Sequence, residues 1–176
     1  LLQVNRLVCS YPTAGNRSFN AVDGVSFDVR RGETLGLVGE SGCGKSTTGR
    51  AIIQLPRPAS GSVWLDGDEI SAMQGDVLRR QRRRLQMVFQ DPISSLNPRR
   101  VCGEIVAEPL RIAGGFGEAE ILARVERALE TVGFDPHAVW SRRPHEFSGG
   151  QCQRISLARA IVADPQFLIC DEPVSS

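Results

Sequence analysis

An excess of charge of either sign is missing from this sequence: 21 Lys and Arg stand against 20 Asp and Glu in 176 residues, a formal net charge of +1. Dedicated nucleic-acid binders carry a basic surplus, so the composition disfavours that class. Long apolar runs are missing too, and the opening Leu-Leu-Gln-Val-Asn-Arg lacks a charged segment followed by an apolar stretch. Neither a membrane span nor an export signal is expected, which points to a soluble, unexported chain. The cysteines, Cys9, Cys43, Cys102, Cys152 and Cys170, form no C-x-x-C pair. A zinc site and a disulfide framework are thereby disfavoured, and a reducing cytoplasm fits best. Internal repeats, low-complexity tracts and long linkers are absent, so one ordinary domain with a real core and an inserted helical lobe is the economical reading.

What is present begins with Gly39, Glu40, Ser41, Gly42, Cys43, Gly44, Lys45 and Ser46, a complete G-x-x-x-x-G-K-[ST]. Glycines at this spacing let backbone N–H groups turn inward around phosphate oxygens, and the helix that follows directs its positive end at the same anion. Lys45 adds a point charge near the outer phosphates, and Ser46 supplies a hydroxyl of the kind Mg²⁺ accepts. The flanks suit the loop: residues 35–38 read as a buried strand, and residues 45–55 as a helix stopped by Pro56.

Around this element, Val25, Phe27 and Val29 alternate with polar residues as in a half-buried strand. Residues 62–65 and the Asp66-Gly67 turn read as a hairpin, and residues 86–89 as a short strand. Further on, Ile121, Leu122, Val125, Ala128, Leu129 and Val132 recur at helical spacing. Ser148 is placed to cap a helix with Ile155, Ala158 and Ile161 or Val162 on its buried stripe, and residues 167–170 read as another buried strand. Asp171 then emerges at a strand end, placed to hold Mg²⁺, with Glu172 beside it as a carboxylate able to polarise an attacking water. The run Arg79, Arg80, Arg82, Arg83 and Arg84 is expected to be a solvated helix face, and His137 and His145 have no companions suggesting acid–base or metal work.

GESGCGKST (39–47, ending in Thr47), FQDP (89–92), FSGGQ (147–151) and LICDEP (168–173) stand in that order. The chain thereby resembles the ATPase subunit of an ABC transporter. FQDPISSLNPR followed by VCGEIVAEPL is similar to the ATPases of oligopeptide and dipeptide importers, and SGCGKSTTGRAI resembles the second of their two paralogous ATPases. The resemblance implies an α/β fold, a phosphate-loop NTPase of ABC type with a RecA-like core, a β-rich edge and a helical subdomain. Its boundaries would be 1–91 for the β-rich phosphate-loop part, 92–147 for the helical subdomain and 148–176 for the signature helix and the Asp171 strand.

The resemblance also implies roles. ATP and Mg²⁺ are the expected cofactors. Tyr11 matches the aromatic that stacks on adenine; the phosphate loop through Thr47 holds the phosphates; and Ser148, Gly149, Gly150 and Gln151 match the signature that binds nucleotide held by an opposite subunit. Gln90 matches a loop glutamine that contacts Mg²⁺ and the water, joining Ser46 and Asp171 at the metal, and Glu172 matches the catalytic base. Implied partners are permease subunits, a second ATPase subunit and, indirectly, an extracellular substrate-binding protein, with no nucleic acid. The setting would be the cytoplasmic face of a bacterial-type inner membrane, with the segment 90–100 and the helix around 104–110 meeting the permease.

Two departures stand out. Cys152 lies where the family often has a basic or amide residue. The chain lacks an initiator Met and ends at Val174, Ser175 and Ser176, before the Leu-Asp loop and switch histidine the family would show, so it reads as a fragment whose C-terminal part is missing. A nucleic-acid-linked ATPase of the same superfamily, or a module that binds nucleotide without hydrolysing it, remain the alternatives at this point.

Overall fold

The computed structural model describes residues 1–13 and 17–172. Contacts divide the chain into two compact units, Leu1–Arg82 and Arg83–Ser176.

The first unit is built on strands β1 (Leu2–Thr13) and β2 (Arg17–Val29), helix α1 (Lys45–Ile52), strands β3 (Ser60–Leu65) and β4 (Asp68–Glu69), and helix α2 (Gly75–Gln81). The strands form one antiparallel sheet in the order β2-β1-β3-β4. Alternation sets its buried face: Leu2 and Val4 point inward, opposite Val29 and Phe27 on one side and Leu65 and Val63 on the other. The ladder slips between Val4 and Leu7, where Arg6 has φ 43° and donates its N–H to Ser26 Oγ at 2.7 Å. This bulge shifts the inward parity by one, so that Leu7 and Cys9 are the buried residues beyond it. The Asp66-Gly67 turn has the paired positive φ values of 50° and 87° that a two-residue hairpin needs.

Two expectations for this unit are corrected. Residues 35–38 form no strand: Leu35, Leu37 and Val38 are 46%, 46% and 93% exposed. An apolar run becomes a strand only where a neighbouring strand supplies its backbone with partners, and none does so among the described residues. Helix α1 ends at Ile52 rather than at residue 55, because Gln54 turns into the left-handed region at φ 62°. Arg82 closes that helix end, donating from Nε to Ile53 O at 2.9 Å and from Nη2 to Gln54 O at 2.8 Å.

The second unit comprises strand β5 (Leu85–Val88), helices α3 (Pro92–Ser95), α4 (Cys102–Ala113), α5 (Glu118–Thr131), α6 (Pro136–Val139) and α7 (Gly149–Ile161), and strand β6 (Phe167–Cys170). Strands β5 and β6 pair in parallel. The helical core joins Ile105, Val106 and Leu110 of α4 to Ile121, Val125 and Leu129 of α5 and to Cys152, Ile155 and Ala158 of α7, the stripes their 3.6-residue spacing dictates. The Arg run is corrected as well. Arg79 and Arg80 lie on exposed helix, but Arg82, Arg83 and Arg84 are half-buried and bind Ile53 O, Ala113 O and Gln166 Oε1 respectively. β6 is a strand as expected but not a buried one, for Cys170 is exposed and its other residues only half-buried. The chain end at Val174, Ser175 and Ser176 lies outside the described residues.

Gly103 makes the closest approach in the core. A Cβ there would stand 2.4, 2.7 and 2.8 Å from atoms of the Trp140 ring. The ring cannot retreat easily, since Gly103 N donates to Trp140 O at 3.0 Å and Cys102 N to Arg142 O at 2.7 Å. Gly103→Ala is expected to cost about 2 kcal/mol of stability through overpacking; chemical denaturation of the intact protein checks this, and an unchanged midpoint would show the ring has room.

Candidate nucleotide-binding and hydrolytic residues

In the first unit the glycine loop is shaped by its own backbone. Gly42 and Gly44 have φ 81° and 97°, and a Cβ on Gly44 would sit 2.2 Å from Ala21 O, so only glycine fits against the sheet. The α1 N-terminus follows, with Gly44 O accepting from Thr48 N at 2.8 Å and from Thr48 Oγ1 at 2.9 Å. The first turn of α1 has no acidic residue to offset its positive end. Lys45 folds back over the loop, Nζ donating to Gly39 O and Glu40 O at 2.8 Å each and lying 4.0 Å from Cys43 Sγ. Gly39, Glu40, Ser41, Gly42, Cys43, Gly44, Lys45, Ser46 and Thr47 thus lie together on the turn that leads into α1 and on its first residues. Tyr11 stands exposed near the end of β1, in the same unit.

In the second unit the parallel pairing of β5 and β6 does the positioning. Val88 is opposite Cys170, and Asp171 N donates to Val88 O at 3.0 Å, so the two strands end together. The residues leaving them meet: Gln90 Nε2 donates to Glu172 Oε2 at 2.5 Å. Asp171 is buried while Glu172 is exposed and held at φ 47°, a left-handed backbone that costs on the order of 1–3 kcal/mol for a non-glycine residue. Within this unit Gln90 and Asp171 offer an amide and a carboxylate, oxygen donors of the kind Mg²⁺ prefers. No group of three or more His, Cys, Asp or Glu that could hold a metal ion occurs among the described residues.

Gln90 is steadied from behind. Asp91 caps α3, Oδ1 accepting from Ile93 N at 3.0 Å and Ser94 N at 3.2 Å, and the Ser94 N–H foremost holds its carboxyl below the usual range. Arg159 Nη1 donates to Ser95 O at 2.6 Å, and Ser95 Oγ lies 3.4 Å from Ser156 Oγ, tying α3 to α7. Sequence reasoning missed Arg159; its only signal is a cation standing between Ala158 and Ala160 beside the buried stripe.

At the start of α7, Ser148 and Gln151 form a reciprocal capping box: Ser148 Oγ accepts from Gln151 N at 3.3 Å, and Gln151 Oε1 accepts from Ser148 N at 2.9 Å. Ser148, Gly149 and Gly150 are exposed, with open space where glycine Cβ atoms would be. Phe147, just before them, is pinned by the Arg142 guanidinium 4.2 Å above its ring and by the edge of Phe134, centroids 6.1 Å apart.

The thiols divide by exposure. Cys43 and Cys170 are exposed, while Cys9, Cys102 and Cys152 are buried. Burial, then the neighbouring Cys152 and Glu146, pushes the Cys102 thiol up to about 11. Alkylation of the intact protein near neutral pH, mapped by mass spectrometry, is therefore expected to mark Cys43 and spare Cys102, and Mg-ATP should slow it at Cys43. Equal rates with and without nucleotide would remove the loop from the binding site.

Comparison with known proteins follows the same lines. The sequence profile described as "ABC transporter" matches residues 22–175. The oligopeptide transport ATP-binding protein OppF of Escherichia coli K12 is 52% identical over 162 residues, covering 91% of this chain and 48% of that protein. A Brucella ovis protein, named as a candidate peptide import ATP-binding protein, is 47% identical over 176 residues, all of this chain and 55% of its own length. The chain thus spans about half the length of these relatives. Among solved structures, the ATP-binding cassette MJ0796, described as dimeric, in a post-hydrolysis state and bound to ADP and Pi, superposes with a TM-score of 0.89 at 28% identity, covering 99% of this chain and 75% of that one.

Proposed function

The chain belongs to the ABC transporter family, and from that membership we propose that it binds and hydrolyses ATP to drive peptide import through a membrane permease. The contact that carries the hydrolytic part is Gln90 Nε2 on Glu172 Oε2 at 2.5 Å, an amide oriented on a carboxylate where two parallel strands end. The peptide part is supported by the names of the relatives, OppF among them. No helix among the described residues is long and apolar enough to cross a membrane.

In this reading Tyr11 stacks on adenine, the loop N–H groups and Lys45 hold the β- and γ-phosphates, and Thr47 lies on the same turn. Bound Mg²⁺ would supply charge neutralisation across those phosphates, held by Ser46, Asp171 and Gln90. Glu172 accepts a proton from the water that attacks the γ-phosphorus, and Gln90 fixes the carboxylate's orientation. Ser148, Gly149, Gly150 and Gln151 form an exposed anion-binding turn for nucleotide on a second ATPase subunit, as a dimeric cassette requires. The segment 90–100, which includes α3, and the part of α4 around residues 104–110 face the permease, and a substrate-binding protein delivers peptide outside the membrane.

The test is uptake of a labelled oligopeptide into vesicles holding the intact protein with its permease and binding protein. Uptake should require Mg-ATP on the side bearing the ATPase subunits and fail with a non-hydrolysable analogue. Hydrolysis without peptide uptake would leave an ATPase of another cargo.

A further inference from the structure

The hairpin of β1 and β2 carries a second exposed aromatic that no motif accounts for. Phe19 is the register partner of Tyr11, and the two are 61% and 40% exposed. Directly opposed residues of an antiparallel pair project from one face, their Cβ atoms about 5 Å apart. One step inward, Ser10 and Asn20 are opposed and joined by a 2.7 Å hydrogen bond. The step before that opposes Cys9 and Val22, both buried. The register shifts between Cys9 and Ser10, with Ala21 the extra residue on β2. β1 runs without an extra residue from Cys9 to Tyr11, so alternation along it puts Tyr11 on the face of buried Cys9, and Phe19 shares that face as its register partner.

That face is also the one the phosphate loop meets. A Cβ on Gly44 would lie 3.5 Å from Val22 Cγ2 as well as 2.2 Å from Ala21 O. Phe19 stands two residues along β2 from Ala21, roughly 7 Å at the usual strand rise. A nucleotide whose phosphates lie in the loop would need only its ribose to reach from there to the aromatic pair. A lone exposed aromatic needs no explanation; two in register, on the loop side of the sheet, match a flat ligand.

We infer that Phe19 is a second binding residue for the nucleotide base, forming with Tyr11 a two-ring platform for a purine. The inference rests on the reading of Tyr11 as the adenine partner. Such a platform recognises ring area rather than hydrogen-bonding edges, because a phenyl ring has neither donor nor acceptor to offer. ATP and GTP should therefore both gain from Phe19, and a base-free triphosphate should not.

The experiment is calorimetric titration of the intact protein with Mg-ATP, Mg-GTP and inorganic tripolyphosphate, comparing wild type with Phe19→Ala, Phe19→Tyr and Tyr11→Ala. Phe19→Ala is expected to weaken ATP and GTP about fivefold while leaving tripolyphosphate unchanged, and Phe19→Tyr to retain wild-type affinity. Unchanged ATP affinity in Phe19→Ala overturns the inference, as does an equal loss for tripolyphosphate, which would make Phe19 a support of the hairpin alone. Tyr11→Ala separates the two readings: if ATP binding falls there but not in Phe19→Ala, only the role of Phe19 is lost. If neither variant weakens ATP, the base does not bind on this hairpin at all.

Discussion

Glu172→Gln in the intact protein is expected to bind ATP nearly as well as wild type and to hydrolyse it at least about a hundredfold more slowly. The substitution keeps the side chain's size and an oxygen for Gln90 Nε2 to reach, so the 2.5 Å contact has no reason to be lost. The backbone at this position already sits at φ 47°, a cost borne equally by either residue. What disappears is the ability to take a proton from water. Bound nucleotide that is not cleaved should also hold two subunits closed, so a dimer should accumulate with Mg-ATP on size-exclusion chromatography. Phosphate release at the wild-type rate would move the base elsewhere.

Lys45→Ala is expected to act earlier, weakening Mg-ATP binding by about tenfold or more and lowering turnover by at least about a hundredfold. Two losses combine. The outer phosphates lose a cation, and the loop loses the tie from Nζ to Gly39 O and Glu40 O that holds its first turn closed. Lys45→Arg separates them, since a guanidinium keeps the charge but not the compact ammonium geometry. Calorimetry alongside a phosphate-release assay reads both effects; unaltered affinity and turnover in the alanine variant would remove the phosphate-loop assignment.

Much of this was legible before any coordinates because the informative signals are local. The glycine pattern around Lys45, the stripe through Ile121, Val125 and Leu129, and the helix cap at Ser148 each depend on residues a few positions apart, where spacing alone decides geometry. The failures are of the opposite kind. Leu35, Leu37 and Val38 have the composition of a buried strand, but strand formation requires backbone partners from elsewhere, and none is present among the described residues. Arg82, Arg83 and Arg84 look like solvated charge until distant carbonyls and an amide claim them. Gln90 and Glu172 are 82 positions apart, so the resemblance gave each a role while only the pairing of β5 and β6 brings them within a hydrogen bond. Arg159 showed only as a cation between two alanines, and its partner could not be read because it is a main-chain oxygen, which any residue at position 95 would supply.

The bulge at Arg6 makes the first strand intolerant of small length changes in one place and tolerant in another. Its inward parity differs on either side of that residue, with Leu2 and Val4 before it and Leu7 and Cys9 after it. Deleting Arg6 would remove the first of the register shifts between β1 and β2 and turn the β1 side chains after it to the opposite face, exposing Leu7 and Cys9 and carrying Tyr11 away from the loop side of the sheet. Inserting one residue beyond Thr13, past the last paired position of β1, changes no parity at all. Homologous chains should therefore vary freely in length between β1 and β2 and hardly at all between Val4 and Tyr11, and a library of single-residue deletions scored by ATP binding would draw that boundary directly.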